Sequence, residues 1–291
     1  MPALRTHGRY DYSPITQRPG FAWPSGQGLA VYVALNIEQY AFGEGLTEEL
    51  VPPLGQPDVL NYSWRDYGNR VGAWRLLELF EQFSLPVSLL VNSAIYDHAP
   101  ELVAAFRARG DEIAAHGRTN SEAQAGLSEF AERQLIAAVT ATITRHEGTP
   151  PAGWLGPWIA ETPVSPDLLQ EAGYAYMLDW CADDQPWWLA TRGGRILAVP
   201  YPQELNDSNA IIARRASAGE FADMIVDQFD ELRGQAAAQP LVMGIALHPY
   251  IAGQPFRLRH LRRALAHIAA RRDGAWLTTA GGIARHFAAL G

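Results

Sequence analysis

From position 29 onward the chain alternates short apolar runs with longer stretches in which apolar residues recur three and four apart. The runs predict strands at residues 29–35, 86–92, 111–115, 152–155, 175–179, 196–199, 241–247 and 276–279. The amphipathic stretches predict helices at 69–83, 99–109, 128–146, 219–237 and 256–271. Strand followed by helix, repeated seven or eight times, is the pattern of an α/β fold with a parallel sheet closed into a TIM-like barrel. A doubly wound open sheet is the alternative, but no GxGxxG follows the first run to mark a dinucleotide site. The RYDYSPITQRPGFAWP stretch near the N-terminus shows neither period. Residues 1–28 are therefore expected to form an arm that wraps the barrel or a neighbouring subunit, with 29–291 as a single βα-barrel domain.

Reacting groups in such a barrel come from the C-terminal ends of the strands and the loops after them. The first run ends in Asn36-Ile37-Glu38, and a period of two sends Asn36 and Glu38 to the same side. The second ends at Asn92, the third leads into His116, and the run 241–247 leads into His248. Asp179 and the pair Asp183 and Asp184 follow the run that begins at 175. Histidine exchanges a proton near neutral pH, and a neighbouring carboxylate can act as base or hold a cation. Glu38, His116 and His248 gathered at one mouth would form an acid–base set for hydrolysis, or two-thirds of a metal site.

Composition narrows the chemistry. A net charge of -8 argues against nucleic acid or an anionic membrane as partner and leaves a small-molecule substrate. All 23 basic side chains are arginines, so Schiff-base chemistry, lysine general bases and P-loop nucleotide binding are excluded. The single cysteine, Cys181, excludes a disulfide framework and any multi-cysteine metal site. No apolar stretch approaches the ~18 to 20 residues of a membrane span, and no basic region followed by an apolar run opens the chain. A soluble cytoplasmic protein is expected.

The metal question turns on His116-Gly117-Arg118-Thr119-Asn120-Ser121. With histidine at 120, HxxxH spacing would present two imidazoles on one face; an amide is a weak ligand, so Glu38, His116 and Asn120 are expected to bind a metal poorly. Asn120 could equally cap the following turn. Trp154, Trp158, Trp180, Trp187 and Trp188 fall in or beside loops after the middle strands, either as an apolar wall against a ring-shaped substrate or as cover for barrel mouths and subunit contacts. The arginines between Arg257 and Arg272 read as the solvated face of a helix.

At NIEQY (36–40), WRDYGNRVGAWR (64–75), EIAAHGRTNSE (112–122), DWCADDQPWW (179–188) and LHPYIAGQP (247–255), the chain resembles the polysaccharide deacetylase (NodB homology, carbohydrate esterase 4-like) superfamily, and within it the metal-independent allantoinase branch. The resemblance spans nearly the whole chain and implies a distorted (β/α)7 barrel. Typical members carry two aspartates after the first strand, a base and a metal ligand, and then an HxxxH. Here Asn36 matches the base, Glu38 the ligand aspartate and Asn120 the second histidine, while His116 and His248 are retained. The usual arginine-proline motif is replaced by Gly153-Trp154-Leu155-Gly156-Pro157.

These departures imply a hydrolase of non-peptide carbon–nitrogen bonds in a small cyclic ureide, imide or amide, working without a firmly held cofactor. Glu38 or His116 would be the base and His248 would serve the departing nitrogen. Asn36, Asn120, Trp154, Asp183 and Trp187 would bind the substrate. The alternatives are an N-deacetylase of an acetylated sugar, with a weakly held divalent metal such as zinc on Glu38, His116 and Asn120, and a non-catalytic ligand-binding barrel. The allantoinase-like relatives and the aromatic arm favour a homodimer or homotetramer.

Overall fold

The computed structural model describes residues 4–291. Its strands are β1 (Leu29–Ile37), β2 (Val87–Val91), β3 (Glu112–Ala115), β4 (Gly153–Trp154), β5 (Tyr176–Met177), β6 (Trp187–Thr191), β7 (Gly194–Ala198), β8 (Leu241–Leu247) and β9 (Ala275–Thr278). The sheet runs β6-β7-β5-β4-β3-β2-β1-β8, with β9 also on β1, and only the β6–β7 pairing is antiparallel. It curls until Asn206, beyond β7, bridges Ala246 on β8, giving a distorted βα barrel. All eight predicted strands are present; β6 is the addition. Thr191 pairs with Gly194 across Arg192-Gly193, a two-residue hairpin turn of the kind glycine favours, and this edge hairpin stands outside the strand–helix alternation.

Side-chain parity along the strands determines what enters the site. On β1, Leu29, Val31, Val33, Leu35 and Ile37 join the apolar cluster shared with the helices, whereas Ala30, Tyr32 and Ala34 join a second cluster inside the curl with Leu90, Ala114, Leu155 and Ala246. Continuing the inner rows by two residues gives Asn36 on β1, Asn92 after β2, His116 after β3 and His248 after β8. Trp154 falls on the outer row. It is fully buried, lies edge-on to Tyr174 at 5.5 Å and belongs to the helix-facing core, so it is not a substrate wall.

The predicted helices at 99–109, 128–146, 219–237 and 256–271 appear as Pro100–Ala108, Glu129–Glu147, Ala218–Gln235 and Pro255–Ala269. Ser128 caps the second, and a reciprocal Ser217–Glu220 capping box starts the third. The helix predicted at 69–83 starts earlier: Val59–Tyr67 continues through a π-turn, Gly68–Gly72, into Ala73–Phe83. The widened turn admits the backbone that follows His248. A Cβ on Gly68 would lie 2.8 Å from Tyr250 N, and one on Gly72 would lie 2.1 Å from Pro249 O.

The arm lies along the barrel. Arg9 pairs with Asp167 at 2.7 Å, Arg18 clasps both carboxylate oxygens of Asp183, and the buried Trp23 donates its indole N–H to Leu241 O at 2.9 Å. Among the described residues no helix is long and apolar enough to cross a membrane.

The outward position of Trp154 carries an expected outcome. Trp154→Ala should lower unfolding stability by about 3–5 kcal/mol in urea titrations, the cost of a large cavity in a closed core. A loss below about 1 kcal/mol, with substrate affinity reduced instead, would return the side chain to the mouth.

Candidate active site

Glu38 is the centre of the polar group inside the rim. Asn120 Nδ2 donates to its Oε1 at 2.5 Å, and the hydroxyls of Tyr40 and Tyr250 donate to Oε2 at 2.8 and 3.3 Å. Two imidazole nitrogens flank the same Oε1: His116 Nε2 at 3.5 Å and His248 Nε2 at 3.6 Å. Burial pushes the carboxyl pKa up, but the His248 cation and the contacts with His116 and Tyr40 outweigh it. The pKa ends below the ordinary glutamate value, and Glu38 is ionised at neutral pH.

The two histidines have different anchors. His248 Nδ1 lies 2.6 Å from Asp207 Oδ1, and the His248 main-chain N–H also donates to that carboxylate at 2.9 and 3.1 Å. Burial alone would push the His248 pKa down; the Glu38 and Asp207 carboxylates reverse this and raise it to about 9. At neutral pH both His248 nitrogens therefore carry protons. His116 Nδ1 instead faces Leu155 O at 2.8 Å, and since a carbonyl only accepts, the hydrogen sits on Nδ1. The buried Nε2 of His116 has no hydrogen-bond partner within reach and faces Glu38 Oε1.

A relay of amides sets what Asn120 presents. The Gln39 main-chain N–H donates to Asn92 Oδ1 at 2.8 Å, which turns Asn92 Nδ2 toward His116 O and, at 3.0 Å, toward Asn120 Oδ1. Asn120 is left with only its N–H groups to direct at Glu38. The loop is clamped from outside by Trp158, whose indole N–H donates to Asn120 O at 2.8 Å. Trp158 and Ile159 hold left-handed backbone, with φ of 64° and 54°, a strained arrangement of the sort that clusters at functional sites.

The structure thus brings Glu38, His116, His248 and Asn120 together and sets the other expected binding residues elsewhere. Asn36 lies on the inner row just below, its amide N–H groups directed at Leu247 O and Tyr201 OH, both at 3.2 Å. Asp183 is taken by Arg18 of the arm, and the carbonyl of the adjacent Asp184 accepts from Val242 N at 2.8 Å, at the start of β8. Val242 is six residues before His248, roughly 20 Å along an extended strand, so Asp183 belongs to the opposite end of the barrel. Trp187 sits on the edge hairpin, edge-on to Tyr10 of the arm at 5.9 Å. With Trp154 in the core, three of the five proposed substrate contacts are structural.

Three site residues escape the strand-end reading. Tyr40 and Tyr250 each stand two residues beyond a site residue, in NIEQY and HPY, and extension of the period-two row would have found them. Asp207 follows no apolar run. Its neighbour Asn206 contributes a single bridge to β8, too short a pairing to leave a pattern.

No family model matches the chain. A Schizosaccharomyces pombe protein that carries the polysaccharide deacetylase name is 25% identical over 305 residues, covering 95% of this chain and 94% of its own. A Pseudomonas aeruginosa structure with the same name is 28% identical with a TM-score of 0.82, covering 93% of this chain and 94% of that one. The PuuE allantoinase structure is 26% identical with a TM-score of 0.83, covering 96% and 98%. Fold and rim together define a βα-barrel hydrolase of the deacetylase type. Over nearly its whole length the chain is similar to proteins named polysaccharide deacetylases and to an allantoinase.

The His248 anchor can be read by titration. Its C–H resonances should titrate near pH 9, and Asp207→Asn should bring the midpoint down by removing one of the two carboxylates. Because the folded pKa lies above the unfolded value of about 6.5, the stability from this protonation is complete below that value and is lost as pH rises through about 9. Denaturation between pH 6 and 9.5 should show that decline, and a His248 midpoint near 6.5 would contradict it.

Proposed function

We propose that the chain hydrolyses a carbon–nitrogen bond in a small, uncharged amide, with a cyclic ureide or imide as the substrate class, in the manner of an allantoinase and without a firmly held metal. The observation that carries this reading is the direction of the Asn120 amide. A divalent ion needs lone pairs, and of the three positions available Glu38 and His116 offer them while Asn120 turns N–H groups inward. Among the described residues no three His, Cys, Asp or Glu side chains are arranged to hold a metal ion. The residues present do not fit such an ion.

They fit acid–base hydrolysis. Glu38 is a weak base, since its oxygens already accept from Asn120, Tyr40 and Tyr250 and its pKa is lowered. In this reading His116 Nε2, which has no hydrogen-bond partner, takes the proton as a water oxygen attacks the carbonyl carbon, and the Glu38 charge stabilises the imidazolium that forms. His248 then gives its Nε2 proton to the departing nitrogen as the carbon–nitrogen bond breaks, and the ring opens to a carboxylic acid that carries the freed ureido or amide nitrogen. Asp207 keeps that proton in place beforehand.

The names of the relatives favour a second reading, an N-acetylated sugar whose hydrolysis recruits a metal. Assays of hydantoin, allantoin and N-acetylglucosamine oligomers with and without EDTA separate the two. Ureide turnover should persist in chelator, and His116→Ala should lower kcat/KM by about 10²–10⁴-fold. Activity on acetylated sugar alone, abolished by EDTA and restored by zinc, would replace the first reading with the second.

A further inference from the structure

Residues 41–57 run from the end of β1 to the helix Val59–Tyr67 as a strap beside the active-site rim. One side is fastened to Ser121, the neighbour of Asn120: Ala41 N–H donates to Ser121 Oγ and Leu46 N–H to Ser121 O, both at 2.9 Å. Gly45, at φ 76°, lies so close that a Cβ would meet Ser121 O at 2.3 Å. Farther along, Leu50 N–H donates to Asn61 Oδ1 at 2.9 Å. Between these fastenings, Glu48 reaches Ser208, the neighbour of Asp207, with its Oε1 3.4 Å from Ser208 Oγ. The strap therefore spans the rim from the Asn120 side to the Asp207–His248 side, and Glu48 is the charged residue at its far contact.

Burial raises the Glu48 carboxyl pKa, and the side chain is close enough to the site for the His248 cation to oppose this, for the Glu38 and Asp207 charges to add to it, and for its own charge to bear on the phenols of Tyr40 and Tyr250. It makes no ion pair among the described residues, and its one side-chain contact, to Ser208, is long. A carboxylate has about four acceptor positions, so most of its accepting capacity is open. Glu38, by contrast, already accepts from three donors. Asp207 is likewise engaged by His248, so of the three acids at this rim Glu48 is the one left to receive hydrogen bonds from a ligand.

We propose that Glu48 is a substrate-binding residue: it accepts N–H donors of the substrate and so selects ureides and imides with free N–H groups over their N-alkylated equivalents. The proposal rests on the ureide reading of the site and adds the residue that would recognise it. Across such a substrate, His248 presents the donor for the departing nitrogen, while Glu48 presents an acceptor for the remaining N–H groups.

Binding of hydantoin and of 1,3-dimethylhydantoin to the full chain, followed by calorimetry, tests it without requiring turnover. The unsubstituted chain should bind hydantoin the more tightly. Glu48→Gln, shown by melting to be folded, should weaken hydantoin by about tenfold or more, as expected for loss of a charge-assisted hydrogen bond, and leave the dimethyl compound within about threefold. Ser208→Ala, which removes the fastening but keeps the carboxylate, should leave both within about threefold. Equal loss of both probes in Glu48→Gln, the same loss in Ser208→Ala, or no hydantoin binding by the unsubstituted chain overturns the proposal. Hydantoin binding that depends on Glu48, with no ureide turned over, would sink the catalytic reading and leave this one standing.

Discussion

A buried, ionised carboxylate governs this end of the barrel. Taking Glu38 out of water costs several kcal/mol unless its charge is compensated, and the compensation comes from separate parts of the chain. Tyr40 follows β1, Asn120 follows β3, and both Tyr250 and the His248 cation follow β8. None of these loops can move off the rim without leaving charge unpaired. The glycine-lined π-turn at Gly68–Gly72 serves the same end, since it lets the Pro249–Tyr250 backbone settle where the phenol reaches Oε2.

The same carboxylate divides the labour between two chemically identical side chains. His116 and His248 approach one oxygen at nearly equal distances, yet the first is anchored on a carbonyl and the second on a carboxylate. A carbonyl anchor demands a hydrogen on Nδ1. A carboxylate anchor stabilises the doubly protonated ring and leaves Nε2 ready to donate. The anchor of His248, with its raised pKa, suits it to the part of proton donor in the proposed hydrolysis.

Most of the barrel and the centre of the site were legible because both rest on period two. A strand whose alternate residues line the interior must place its next polar residue on the same row, which is why Asn36, Glu38, Asn92, His116 and His248 could be read from strand ends. The same rule, applied strictly, would have excluded Trp154, since Leu155 occupies the inner row. Asp183 and Trp187 were illegible for another reason. Their partners, Arg18 and Tyr10, lie in an arm more than 160 residues away, and long-range pairing leaves no trace in local pattern. Asp207 was hidden by a strand reduced to one bridge.

Asparagine at 120 is a weak metal ligand, but its physical consequence reaches further. An asparagine free to rotate could offer a carbonyl oxygen; here the Gln39 backbone N–H fixes Asn92, and Asn92 fixes Asn120. The relay ends by placing a donor on Glu38 Oε1, the oxygen between the two imidazoles. A carboxylate that accepts there is stabilised in its charged form and less able to take a proton from water. Under the proposed hydrolysis the proton then goes to the neighbouring His116, so that the direction of one amide, set by a main-chain hydrogen at Gln39, bears on which side chain would begin the reaction.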